Sequence, residues 1–225
     1  VVLKVYIVRH GETAENRAMI MQGQRDTALN AAGLEQAQLT ANALEHVPFV
    51  AGYSSDLSRA SQTAQAILSK HAGVALQQYP ALRERYMGDM EGQHIGAWQG
   101  AVPANMEKSV AFSARAAAWW DEVILGHVNS ILAQSKDAAQ DQDEADAEPA
   151  NVLVVSHGGL MHVLLQDLID NRKVKTAKNV RIGRFRFPNA SVSVIEMGRN
   201  KKGTLVLFAD TTHLNVELVD GNADI

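Results

Sequence analysis

An α/β fold with a mostly parallel central sheet and helices on both faces is what this sequence predicts, on three observations. Short apolar runs rich in β-branched residues recur along the chain. Amphipathic helical patterns lie between them. Two of the runs end directly in a His-Gly pair. Alternation of strand and helix is how a parallel sheet is built, because each parallel return needs a crossover that covers a face.

The elements follow in order. VVLKVYIV (1–8), FVAGYS (49–54), NVLVVS (151–156), ASVSVIEM (190–197) and TLVLFA (204–209) read as buried strands. Ala31–His46 places Leu34, Ala37, Ala41 and Leu44 on one helical face, with Asn30 as N-cap. Leu57–His71 repeats the pattern through Ala60, Ala64, Ile67 and Leu68, and Gly73 follows as a stop. Gly159–Asp170 is a third such stretch, and 103–136 reads as largely helical. The segment 137–150 has six acidic residues and no basic one, the composition of a solvated loop. No repeat or linker divides the chain. The expectation is one domain over 1–225, with a helical insertion at about 93–136 and an acidic flexible loop at 137–150.

Composition narrows the functions open to it. A formal charge of −4 argues against a broad nucleic-acid surface, yet allows a small basic pocket for a small anion. The absence of cysteine removes disulfides, thiolate nucleophiles and Cys-based zinc sites. No apolar run is long enough to span a bilayer, so no membrane partner is expected. The Val1–Val8 run is too short for a signal peptide, and Val at position 1 suggests a trimmed upstream segment. Those features predict an intracellular protein, cytoplasmic or nuclear. Oligomeric state is not legible.

Chemistry concentrates at strand ends. Arg9-His10-Gly11-Glu12-Thr13 follows the first strand, at a carboxyl end where α/β sheets bind ligands. Imidazole is nucleophilic near neutral pH, and an adjacent guanidinium offers a planar fork for phosphate oxygens. Ser156-His157-Gly158-Gly159 ends another strand and opens a helix, whose N-terminus favours an anion. Arg59 lies in the first turn of a helix, where a positive charge opposes the dipole unless an anion is near. Glu84 stands between Arg83 and Arg85, a pattern that a surface ion pair would also produce. Trp98, Trp119 and Trp120 could frame a substrate, but aromatic residues in helical stretches usually belong to the core.

An ordered set of these segments carries a resemblance. RHGET (9–13), Asn16, QG (22–23), GLEQA (33–37), SSDLSRASQTA (54–64), LRERYMGDMEG (82–92), SHGG (156–159) and NASVS (189–193) span nearly the whole chain. The chain resembles the histidine phosphatase superfamily, which includes cofactor-dependent phosphoglycerate mutases and fructose-2,6-bisphosphatases. The resemblance implies that His10 is the nucleophile and Glu84 the general acid, later the base that activates water. It implies a phosphate pocket of Arg9, Arg59 and His157, with Asn16, Gln22, Gly23 and Gly158 on the substrate side. No metal and no cofactor is implied, since arginines and a histidine can balance the charge of the transferring group. The family's Asp-x-Pro-Leu reads Asp26-Thr27-Ala28-Leu29 here, without the proline. The Glu91-Gly92 ending favours the phosphatase branch over the mutases. The expected partner is a small phosphorylated substrate, with a phosphoprotein left open. A mutase, and a scaffold protein using the same fold, are the alternatives. The acidic 137–150 run is the candidate for a partner contact.

Overall fold

Five strands stand where the apolar runs predict them, and two short ones stand where the sequence gives little sign of them. A computed structural model describes residues 1–97, 99–138, 148–182 and 186–214. In chain order the strands are β1 (Leu3–Arg9), β2 (Phe49–Ser54), β3 (Leu76–Gln78), β4 (Ala150–Ser156), β5 (Val174–Thr176), β6 (Val192–Met197) and β7 (Gly203–Asp210). Among the described residues they form one sheet in the order β3-β2-β4-β1-β6-β7-β5. Pairing is parallel except along both sides of β6. The two strands without a sequence signature, β3 and β5, are three residues long and sit at the two edges. Each pairs on one side only, so neither needs a run of buried side chains.

The helices are α1 (Ala14–Arg17), α2 (Ala31–Leu44), α3 (Ser58–Leu68), α4 (Ser109–Trp119), α5 (Leu125–Ala138) and α6 (Gly158–Asp170), with a π-helical stretch, Trp120–Ile124, between α4 and α5. Asn30 caps α2 as its sequence suggests, its side chain accepting from Gly33 N at 2.8 Å. One boundary needs correction. The region read as helical from 93 or 103 becomes helical only at Ser109, and continues to Ala138. Pro103 lies in the stretch before it, where turns formed by 103–106 replace helix. Trp119 and Trp120 are both core residues, at 2% and 1% exposure. Trp98 and residues 139–147, most of the acidic run, lie outside the described residues.

Two apolar layers flank the sheet. One joins Val5 and Ile7 of β1 to Trp119, Ile124 and Val128 and to Leu160, Leu164 and Leu168 of α6. The other joins Val8 to Ala41 and Leu44 of α2 and Ala60, Ala64 and Ile67 of α3. The chain therefore leaves β1 toward one face and β4 toward the other, although the two strands are neighbours. That divergence opens a crevice at their carboxyl ends, where α/β sheets hold ligands. No helix among the described residues is long and apolar enough to cross a membrane.

Candidate active site

Strand register assembles the two histidines. Arg9 on β1 pairs with Ser156 on β4, so the residues that follow, His10 and His157, emerge side by side. His10 N donates to Ser156 O at 3.0 Å, and the two ring centroids lie 5.1 Å apart at an interplanar angle of 59°. Both residues are fully buried. His10 Nδ1 stands 2.7 Å from Gly11 O. A carbonyl only accepts, so Nδ1 carries the proton and a neutral ring has its lone pair on Nε2. The loop behind the ring is tied on several sides. Gly11 N donates to Thr63 Oγ1, Glu12 N to Gln36 Oε1, and both Asn189 Nδ2 and Ala190 N to His10 O. A side chain at Gly11 would lie 2.5 Å from Gly33 O, so α2 can pack against this loop only with glycine there.

The arginines and amides come from separate segments. Arg9 Nη1 donates to Phe187 O at 2.7 Å, and Arg59 donates to Gly23 O (2.9 Å) and Arg25 O (2.8 Å). Both are essentially inaccessible to solvent. Arg59 is thus no surface residue of a first helical turn. Asn16 Oδ1 accepts from Thr13 N, while Thr13 Oγ1 accepts from Asn16 N, closing a capping box on α1. Gln22 Oε1 takes the Thr27 hydroxyl at 2.6 Å and lies 3.0 Å from that of Thr13. Each amide is thereby turned with its NH₂ outward from these bonds. Asn16 Nδ2 and Gln22 Nε2 are buried and have no hydrogen-bond partner among the described residues, which suits donors to an anion. Gly158 is the first residue of α6, directly after His157 at its N-cap.

Glu84 reaches the site from the loop after Leu82. It is 6% exposed, so the surface ion pair that its flanking arginines suggested does not form at the surface. Arg83 instead makes a two-point contact with Asp56, at 2.7 and 2.6 Å. The Asp56 carboxyl is held below its ordinary range by that hydrogen bond, against some opposition from burial. Glu84 Oε2 accepts from Gly159 N at 2.8 Å and Oε1 from Arg85 N at 2.8 Å. The carboxylate therefore rests on the N-terminal turn of α6, two residues from His157. Gln24 Nε2 donates to Glu84 O at 3.2 Å, and Gln24 N donates to Glu91 Oε1 at 2.8 Å, tying the Gln22-Gly23 loop to the Glu84 loop. Glu91-Gly92 is thus a strut between the two loops.

The residues expected at the site lie at the ends of β1 and β4, the starts of α1, α3 and α6, and in two loops. His10 stands beside His157, Arg59 is bonded to Gly23, Gln22 is bonded through Thr13 to the start of α1, and Glu84 rests on the first turn of α6. Other contributors were given no role by the sequence, although Asn189 and Thr63 lie within the motifs of the resemblance. Asn189 supports His10 from the far end of the chain, Thr63 supports Gly11, and Arg115 of α4 grips the loop that bears Glu84. Their partners are backbone groups far away in sequence, so spacing alone could not point to them. Among the described residues no group of three or more His, Cys, Asp and Glu could hold a metal ion.

The model of the histidine phosphatase superfamily (branch 1) matches residues 5–211. The chain belongs to this superfamily. Its members transfer phosphoryl groups through a phosphohistidine, and this chain is a phosphatase of that kind. A metal-independent phosphoserine phosphatase of Arabidopsis thaliana is 32% identical over 218 residues, 95% of this chain and 84% of that protein. A broad-specificity phosphatase of Saccharomyces cerevisiae is 30% identical over 226 residues, 95% and 88% of the two chains. Among solved structures, a phosphoglycerate mutase of Bacillus anthracis superposes with a TM-score of 0.69 at 25% identity and 94% coverage of each chain. The fold is that of the phosphoglycerate mutases.

Proposed function

We propose that this member of the superfamily is a metal-independent phosphomonoesterase with His10 as the phosphoryl acceptor. One observation carries the assignment. The bond from Nδ1 to Gly11 O sets the tautomer that leaves Nε2 nucleophilic, in a ring facing His157 at the mouth of two parallel strands. His10 Nε2 attacks phosphorus, the bond from phosphorus to the ester oxygen breaks, and that oxygen takes a proton from Glu84. Water then attacks the phosphohistidine, giving its proton to the Glu84 carboxylate, and the phosphorus–nitrogen bond breaks to restore His10. Arg9, Arg59, His157 and the amide donors of Asn16 and Gln22 balance charge on the three equatorial oxygens. Gly158 at the start of α6 and Gly23 beside Gln22 shape the walls.

Charge compensation by side chains alone is supported by the similarity to a relative named as a metal-independent phosphoserine phosphatase. The substrate class is a small phosphorylated metabolite, supported by relatives named for phosphoserine and for broad specificity.

Rapid-quench labelling in EDTA tests the reading. A ³²P-labelled phosphomonoester should leave acid-labile, base-stable phosphate on the wild-type chain and none on His10→Ala, whose turnover should fall by about 10³-fold or more. Unchanged turnover in His10→Ala would remove the nucleophile, and loss of labelling in EDTA would point to a metal. Transfer of label to a second hydroxyl faster than to water would favour a mutase.

A further inference from the structure

We propose that Arg115, on helix α4, is the positioning residue for the Glu84 acid. This deepens the reading above and rests on the acid role of Glu84. A guanidinium has five N–H donors in a rigid plane. In Arg115 all five have partners. Nη1 donates to Ala81 O and Arg83 O, each at 2.8 Å, and Nη2 to Glu84 O at 2.8 Å. The remaining two donors, on Nε and Nη2, meet the Glu107 carboxylate at 2.8 and 3.1 Å. Glu107 in turn accepts from Tyr86 N at 3.1 Å, and its carbonyl takes Arg85 Nε at 2.8 Å.

Three consecutive features make this a device for placing Glu84 rather than general packing. The three gripped carbonyls belong to residues 81, 83 and 84, so the backbone that carries the acid is clamped at and before its Cα. Tyr86 and Arg85, just after it, are held by Glu107 of the same ion pair. The Glu84 side chain then has only to reach Gly159 N and Arg85 N to be fully oriented. Burial would raise the Glu107 carboxyl, but the hydrogen bond and charge of Arg115, with the Tyr86 N–H and the Arg85 charge, together hold it below the ordinary range. Arg115 also stacks on Phe112, 4.8 Å from that ring, which anchors the guanidinium to the apolar side of α4. A lysine has three donors on one atom and cannot span three carbonyls and a carboxylate.

The test compares phenyl phosphate with p-nitrophenyl phosphate, two substrates of similar size whose leaving groups differ in their need for a proton. It uses kcat/KM, which reports leaving-group departure and is blind to the later attack of water. Glu84→Gln should lose on the order of tenfold more on phenyl than on p-nitrophenyl phosphate, because the better leaving group needs less acid assistance. Arg115→Ala should show the same selectivity with little change in KM, Arg115→Lys should not restore it, and millimolar guanidinium ion should restore part of it. Adding Arg115→Ala to Glu84→Gln should cost little more than Glu84→Gln alone. Equal loss on both substrates, or full additivity of the two variants, overturns the proposal while leaving the acid role standing. If Glu84→Gln itself is indifferent to the leaving group, the acid role falls and the positioning role with it. Should Arg115→Ala fail to fold, Glu107→Gln, which weakens the same clamp, must give the selective loss; an equal loss there overturns the proposal as well.

Discussion

Gly159 occupies the second position of α6 with its N–H on Glu84, and it has no room for a side chain. A Cβ there would lie 2.4 Å from Glu84 Oε1 and 3.0 Å from its carboxyl carbon. Alanine is the better helix former by roughly 0.8–1 kcal/mol, so Gly159→Ala should leave the melting temperature unchanged or raised. The same methyl group must push the carboxylate off the helix end, and turnover of an alkyl phosphate should fall on the order of 10²-fold, the scale of a displaced acid–base group. Calorimetry together with steady-state kinetics checks the split. Parallel loss of stability and activity would mean that Gly159 is needed by the helix and not by the acid. His10, Glu84, Arg59 and His157 were all visible as residue types at strand and helix ends. What spacing could not show is that Arg59 bonds backbone carbonyls, or that the Glu84 carboxylate lands on the backbone N–H groups of Gly159 and Arg85.

At the scale of elements, α3 shows how a loop can complete a helix. Its N-cap is Leu57, which has no side-chain acceptor. Asp26 supplies one from the preceding loop, taking Ser58 N at 2.6 Å and Ser58 Oγ at 2.8 Å. The carboxylate also sits at the positive end of the helix dipole, in a first turn that carries Arg59. Its neighbours Arg25 and Thr27 are the residues to which Arg59 donates. The Asp26–Leu29 segment therefore caps the helix and seats Arg59 together, without the proline that the family pattern has. Asp26→Ala should cost about 1 kcal/mol, the usual value of a lost cap, which is about 2–4 °C of melting temperature in a chain this long. An unchanged melting temperature would show that solvent replaces the cap. The strands β1, β2, β4, β6 and β7 were legible because they are apolar and β-branched. The edges β3 and β5 were not, because one-sided pairing over three residues leaves no pattern.

Across the whole molecule, acid should destabilise the fold in two stages. His71, His127 and His213 all lie below the ordinary imidazole range because burial disfavours their charged form. The unfolded chain takes up these protons first, so stability is lost as pH falls below about 6.5. Asp56 is depressed chiefly by its bond to Arg83, and Glu107 is depressed by Arg115 in spite of burial. Their contribution is present above the unfolded carboxyl range of about 4 and disappears as pH drops through the lower folded values. A melting-temperature profile from pH 8 to pH 3 should step down in both windows, and Asp56→Asn should flatten the second one selectively. A flat profile between pH 7 and 5 would contradict the downward shift that partial burial gives the three histidines.

What the sequence determined by itself was the fold class, the five main strands and the crossover helices, while the site residues were proposed on the family resemblance. Each of those elements is written locally, as an apolar period, a cap or a polar group at the end of a run. Tertiary structure alone decided how those pieces meet. The pairing of Arg9 with Ser156, nearly 150 positions apart, places the two histidines ring to ring. The clamp of Arg115 on residues 81–84 and the support of His10 by Asn189 likewise run between distant segments, mostly to backbone atoms. A carbonyl or amide is present at every residue, so nothing in the identity of a partner marks it in advance. Only strand register and helix placement select which one is met.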